Sequence, residues 1–272
     1  MERFFSYQFI INALIISAIC SLSSALIGTW VVIKRKVLIS GGITHSSFGG
    51  IGIAYFLNMN PTIGSAIFAI ATALGIEILS EKGKLREDSA IGMFWSLGMA
   101  IGILFISLTP GYAPDLLGYL FGNILTTSST DIILSGIITT LILIWFTVNY
   151  KKIIYIAFDE QYAQSLKVNT RFHNIMMMML TAITIVMNIK VAGIILVISM
   201  LCIGQSAANL IVKNVKSIII YSFAFNIIAS FGGIVLSWYT NIPSGATIII
   251  ILTLIYIICA SYQKSRKRLS AQ

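Results

Sequence analysis

The sequence predicts an all-α protein, a polytopic transmembrane helix bundle of eight to nine spans, and three observations predict it. Of the 272 residues, 57% are hydrophobic and 10% charged, with a mean hydropathy of +0.94, whereas charged residues make up about 25% of a soluble domain. The apolar residues gather into stretches long enough to cross a hydrocarbon core, which takes about 20 residues. The basic residues gather between those stretches, and sixteen of the 18 can be placed on one side of a membrane, leaving only Arg3 and Lys190 elsewhere. Loops that stay in the cytoplasm carry the Lys and Arg excess.

The spans follow in order as a zigzag between these clusters. Residues 8–33 run inward and stop at Lys34, Arg35 and Lys36. Residues 40–57 return outward to a connection at 58–61, and residues 61–79 run back to Lys82, Lys84 and Arg86. Residues 89–108 go out to the long connection 109–130, and residues 131–148 come in to Lys151 and Lys152, with Lys167 and Arg171 beyond. Residues 173–188 lead out to Lys190, and 191–212 lead in to Lys213 and Lys216. Residues 218–239 go out to the connection 240–243, and 244–262 return to Lys264, Arg266, Lys267 and Arg268. Nine spans place the N-terminus outside and the C-terminus in the cytoplasm; because 173–188 is short for a span, eight remains open. The whole chain, 1–272, reads as one transmembrane domain in the cytoplasmic membrane.

Two connections are more than turns. Residues 115–125, DLLGYLFGNIL, are apolar yet too short to cross, which predicts a re-entrant or interfacial helix shielded from lipid by protein. Residues 158–168, FDEQYAQSLKV, predict a short amphipathic cytoplasmic helix with Phe158, Tyr162 and Ala163 at helical spacing, Leu166 beyond, and the acidic pair Asp159 and Glu160 in its first turn, where they complement the helix dipole. Glycines recur inside the spans, notably Gly49, Gly50 and Gly52, then Gly98 and Gly102. Small residues let helices approach closely in lipid, and most of these glycines read as packing positions.

Several function classes fall away. The net charge of +9 sits at span ends and is topological, not a nucleic-acid footprint. Cys20, Cys202 and Cys259 lie singly within apolar segments and predict packing, neither disulfides nor a thiolate metal site. The first apolar run is too long for a cleavable signal and is expected to stay as a span. No G-x-x-x-x-G-K-[ST] phosphate loop occurs, so any ATP-driven work needs a partner.

One ionisable side chain stands well inside a span: His45, in SGGITHSSFGG. It lies nine residues past Lys36, about 13 Å of helix rise, near mid-bilayer. Ionisable groups at that depth line a pathway or pair with one another, and neutral imidazole is a common ligand for divalent transition metals. Thr44, Ser46 and Ser47 flank it as candidates for holding water around an ion, and Gly41 lies one turn earlier on the same face. An interhelical hydrogen bond is the equally weighted alternative for His45. His173 follows Arg171 at a cytoplasmic helix start and reads as solvated and non-functional. Met176–Met179 face all sides of their helix and read as flexible packing.

Six segments in order resemble the integral-membrane subunit of ABC importers for zinc, manganese or iron: LISGGITHSSFGG, EDSAIGMFWSLGMAIGILF, DLLGYLFGNIL, FDEQYAQSLKV, VAGIILVISMLCIGQSAANL and SWYTNIPSGA. The resemblance implies a homodimer of this chain on two cytoplasmic ATPase subunits, fed by an extracytoplasmic metal-binding protein. No permanently bound cofactor is implied, only a transported divalent metal ion. It makes 158–168 the coupling helix, with Asp159, Glu160 and Ala163 at or near the ATPase contact, and His45 a transient metal ligand contributed by each protomer. The chain departs from the family pattern at Gly41, where an aspartate usually stands four residues before the histidine, at Gly204 in place of a proline, and at Asn241 in place of an external aspartate. Losing the carboxylate removes a hard oxygen ligand and weakens the expected site. The competing readings are a permease of the same architecture for a metal chelate or other small cargo, and an ion-coupled secondary transporter. The latter normally needs intramembrane carboxylates or a broken-helix site. An intramembrane enzyme lacks a general-base constellation here.

Overall fold

The structure is a computed structural model that describes residues 7–81, 85–110, 122 and 124–269. Its helices are α1 (Gln8–Ile33), α2 (Val37–Phe56), α3 (Pro61–Glu81), α4 (Glu87–Leu108), α5 (Ser129–Val148), α6 (Tyr150–Phe158), α7 (Glu160–Ser165), α8 (Thr170–Ile211), α9 (Val215–Thr240) and α10 (Ser244–Leu269), with one 3-10 turn at Ile124–Thr126. No strand occurs among the described residues. In hydrocarbon every backbone polar group must be satisfied within its own segment, and long helices do this.

Polar side chains placed where apolar runs stop set the helix starts, because the first N–H groups of a helix have no partner within it. Ser128 and Asp131 form a reciprocal capping box on α5. Asp159 accepts from the Tyr162 N–H on α7, Asn169 from the Phe172 N–H on α8 and Asn214 from the Lys216 N–H on α9. Asn241 ends α9 in the left-handed region, φ 56°.

Eight of the described helices are long and apolar enough to cross a membrane, and α8 is two helical halves joined at a kink. Its 42 residues would run about 63 Å if straight, roughly twice the hydrocarbon thickness. Gly193 breaks it with φ 75° and ψ 165°, a conformation open essentially to glycine alone. Thr170 and Asn174 meet the cytoplasmic segment through Gln164 and Glu160, Lys190 meets Asp131 at the opposite end, and Lys216 is back over the Tyr150 ring at the basic end. The two halves of α8 thus run in opposite directions, with the turn three residues later than the expected connection at Lys190. Both halves are tied to α1 at Ser24: Asn188 Nδ2 donates to its Oγ at 3.0 Å and Gln205 Nε2 to its carbonyl at 2.7 Å.

The bundle is layered. In α2 and α8, 78% of the apolar window is buried within the chain, against 22% in α4 and α5, so α1, α2 and α8 form the inside and the others present Ile and Leu outward to lipid. Glycine sets how closely α2 approaches its neighbours. A Cβ at Gly49 would lie 2.8 Å from the Gly98 carbonyl oxygen of α4, and one at Gly52 would overlap Gly102. Only hydrogen at those positions lets the two backbones meet.

Two expectations are corrected and a third is not reached. Residues 158–168 are not one helix: Phe158 closes α6, Asp159 is extended, and α7 is confined to Glu160–Ser165, because the Asp159 side chain caps a new helix start. His173 is not solvated. It is buried, with Nδ1 2.8 Å from the Asn169 carbonyl and Nε2 3.4 Å from Asn149 Oδ1, packed beside Trp145 and Phe172. The element expected at 115–125 lies outside the described residues apart from Gly122 and the turn beginning at Ile124.

Candidate functional site

His45 sits midway along α2, the helix held between α3 and α4. Its imidazole is half-buried and stacked on the Trp95 indole of α4, with ring centroids 4.3 Å apart and planes 8° from parallel. Its Nδ1 is buried and has no hydrogen-bond partner. An interhelical hydrogen bond, the structural alternative for this residue, is therefore not what holds it; aromatic stacking is. A buried ring nitrogen left bare costs free energy, which singles this atom out among the polar groups of α2.

Gly41 shares the space. A Cβ there would meet Trp95 Cζ3 at 3.7 Å, an ordinary contact, whereas one at the adjacent Gly42 would lie 2.7 Å from Ile91 Cγ2. The position of the missing carboxylate is thus open beside the indole, and the neighbouring glycine is closed by packing.

The flanking hydroxyls are engaged elsewhere. Thr44 Oγ1 donates to the Ser40 carbonyl at 2.6 Å and Ser47 Oγ to the Thr44 carbonyl at 2.6 Å. Ser46 Oγ reaches the Ile43 carbonyl and Thr72 Oγ1 of α3. All three are fully buried and none bonds His45. Back-bonding to the preceding turn is the usual solution for a helical hydroxyl in lipid, so the expected water-holding shell is instead packing between α2, α3 and their own backbone. Trp95 is the site residue that sequence reasoning passed over. Its signal was the spacing of Trp95, Gly98 and Gly102, three and four apart on one face of α4, the face that meets α2.

No group of three or more His, Cys, Asp or Glu side chains that could hold a metal occurs among the described residues. The arrangement offers one imidazole nitrogen, an indole face and open room at Gly41. Chemically it can make a single, weak, exchangeable contact to a cation.

At the cytoplasmic end, α7 places its three expected contact residues differently. Asp159 is the cap of α7. Glu160 turns inward, 3.2 Å from Lys34 Nζ and 3.1 Å from Asn174 Nδ2. Ala163 is fully buried, while Phe158, Tyr162 and Leu166 are exposed at 66%, 50% and 48%. The outward-facing surface therefore carries Phe158, Tyr162 and Leu166 among the exposed polar residues Asp159, Gln161, Gln164, Ser165 and Lys167, and Ala163 is a packing residue beneath it.

Comparison with known proteins gives a consistent result. The profile of the ABC 3 transport family matches residues 6–263. The chain is 33% identical over 259 residues to the "Manganese transport system membrane protein MntC" of Listeria innocua, covering 95% of this chain and 92% of that one. It is 37% identical over 242 residues to the "Probable metal transport system membrane protein" of Chlamydia muridarum, covering 87% and 83%. Among solved structures it resembles PsaBC from Streptococcus pneumoniae in complex with Fab, with a TM-score of 0.84, 26% identity, and coverage of 93% and 91%.

Proposed function

From the premise that this chain belongs to the ABC 3 transport family, we propose that it is the permease subunit of an ABC importer carrying a divalent transition metal, zinc or manganese first and iron next, across the cytoplasmic membrane. The observation that carries the cargo reading is the bare Nδ1 of His45 on α2, one of the two most enclosed helices. His45 from each of two protomers makes the central contact, and the lack of three ligands within one chain, among the described residues, is what favours a homodimer. A conducting site must bind strongly enough to admit the ion and weakly enough to release it, and a neutral imidazole without a carboxylate at position 41 meets the second demand. Trp95 holds the imidazole plane, so the ring cannot collapse against its own helix.

Energy comes from a separate cytoplasmic ATPase docked on the exposed Phe158, Tyr162 and Leu166 surface, with 158–168 as the coupling segment. Cargo comes from an extracytoplasmic binding protein. A second reading, a metal chelate as cargo, is favoured by one observation, the room left at Gly41 beside Trp95.

The test is uptake by cells that lack other importers and express this chain with its ATPase and binding protein. His45→Ala should abolish uptake of the free metal while leaving expression and dimer formation intact. Normal uptake by His45→Ala would show that the imidazole is not on the path. Uptake that requires an added chelator would replace the free-ion reading with the second one.

A further inference from the structure

The corner between α1 and α2 consists of Lys34, Arg35 and Lys36, with Arg35 in the left-handed region at φ 58°. A non-glycine residue there costs about 1–2 kcal/mol, and what the corner gains is a two-sided ionic grip. Lys34 Nζ lies 3.2 Å from Glu160 Oε2, the first residue of α7. Lys36 Nζ lies 3.0 Å from Glu77 Oε2 on α3 and 3.6 Å from Glu87 Oε2, the first residue of α4. Both lysines and Glu77 are no more than 15% exposed. These groups share one cytoplasmic recess of about 530 Å³, which Ser80, Gln164, Thr170 and Arg171 also line.

The pairs have little value as stabilisers, since partly exposed ion pairs contribute about 0–1 kcal/mol. Their arrangement is more informative than their strength. The short α7 packs its backbone on α6 and α8, and Lys34 joins it to the turn from which α2 starts. His45 follows nine residues after Lys36 on the same helix, about 13 Å away along the axis. A shift of α7 therefore pulls on the corner through Glu160 and Lys34, while Lys36 anchors that corner to α3 and α4.

We propose that Lys34 and Glu160 are the positioning pair that transmits movement of α7 to the His45 helix, with Lys36 bridging Glu77 and Glu87 as the anchor that sets the resting position. This rests on the reading of α7 as part of the ATPase contact. The pair acts through α2 and touches no cargo. Its removal should lower the metal moved per ATP consumed more than it lowers assembly or ATP hydrolysis.

The experiment uses the assembled transporter in proteoliposomes, with zinc and manganese uptake and ATP hydrolysis measured in the same vesicles. Lys34→Glu and Glu160→Lys should each lower the uptake-to-hydrolysis ratio about two- to fivefold, the scale of a partly exposed charge pair, and the double exchange should restore it. A fold-stabilising role alone would lower assembly and both activities together and leave their ratio unchanged. An unchanged ratio in the single variants, or a double exchange that does not recover, overturns the proposal. Tyr162→Asp separates the two levels. Loss of ATPase copurification in that variant supports the docking surface, so failure of the exchange then condemns the pair alone, whereas retained copurification removes the docking reading and the pair's role with it.

Discussion

Gly41→Asp tests the site more sharply than removal of His45, because the structure separates two adjacent glycines that look alike in sequence. At Gly41 the new Cβ would meet Trp95 Cζ3 at 3.7 Å, and at Gly42 it would meet Ile91 Cγ2 at 2.7 Å. The Cβ of an aspartate at 41 makes only an ordinary contact, so the main cost expected of the substitution is its charge. Translocon scales put a carboxylate at the centre of a span at about 2.5–3.5 kcal/mol. Converted at about 2–4 °C per kcal/mol, the variant should melt about 5–14 °C below wild type in a chelator. A divalent ion held between the introduced carboxylate and His45, one helical turn apart, reverses this, since ligand at about 100 times its Kd contributes about 2.7 kcal/mol. The assay is thermal unfolding of purified protein with a chelator, then with zinc or manganese. The expected result is a metal-dependent rise larger than that of wild type, lost again in Gly41→Asp combined with His45→Ala. A Gly41→Asp variant whose midpoint responds to metal no more than wild type refutes the placement of position 41 beside the ion path. Gly42→Asp should be unstable with or without metal.

Three other outcomes follow from the packing. Gly98→Ala sets a Cβ against Ser46 of α2 and should cost about 1–3 kcal/mol by overpacking, read as a lowered unfolding midpoint without a change of metal preference. Gly193→Val forces a β-branched residue into φ 75° at a cost of about 1–3 kcal/mol, and should reduce the yield of folded protein more than Gly232→Ala, where the nearest atom stands 3.2 Å from the new Cβ. Cysteines introduced at Lys152 and Lys213 should label from the cytoplasm and those at Lys190 and Thr240 from outside, as the basic-side assignment requires; labelling of Lys190 from the same side as Lys213 would remove the double crossing of α8.

Apolar length and basic clusters were enough to locate α1 over the same residues the structure shows and to place every later span within a few residues, because in lipid each span must satisfy its own backbone and the signal is local. The same local logic singled out His45, since an ionisable side chain about 13 Å from a charged span end either lines a pathway or pairs with another group. What lay beyond it was every relation between spans. Sequence read Thr44, Ser46 and Ser47 as companions of His45 because they are its neighbours along the chain, but a helix turns about 100° per residue and sends them to other faces, onto Ser40, Thr72 and Thr44. Trp95 lies 50 residues away and reaches His45 only because Gly98 and Gly102 let α4 close on α2. The break of α8 fell at Gly193, not at the charged Lys190, since the turn needs a backbone conformation that only glycine adopts easily, while Lys190 needs only Asp131 at the surface. Composition determined that the chain is a membrane bundle and which ends of its spans carry the basic residues; contact at glycine, where side chains vanish and backbones meet, decided which residues lie beside His45.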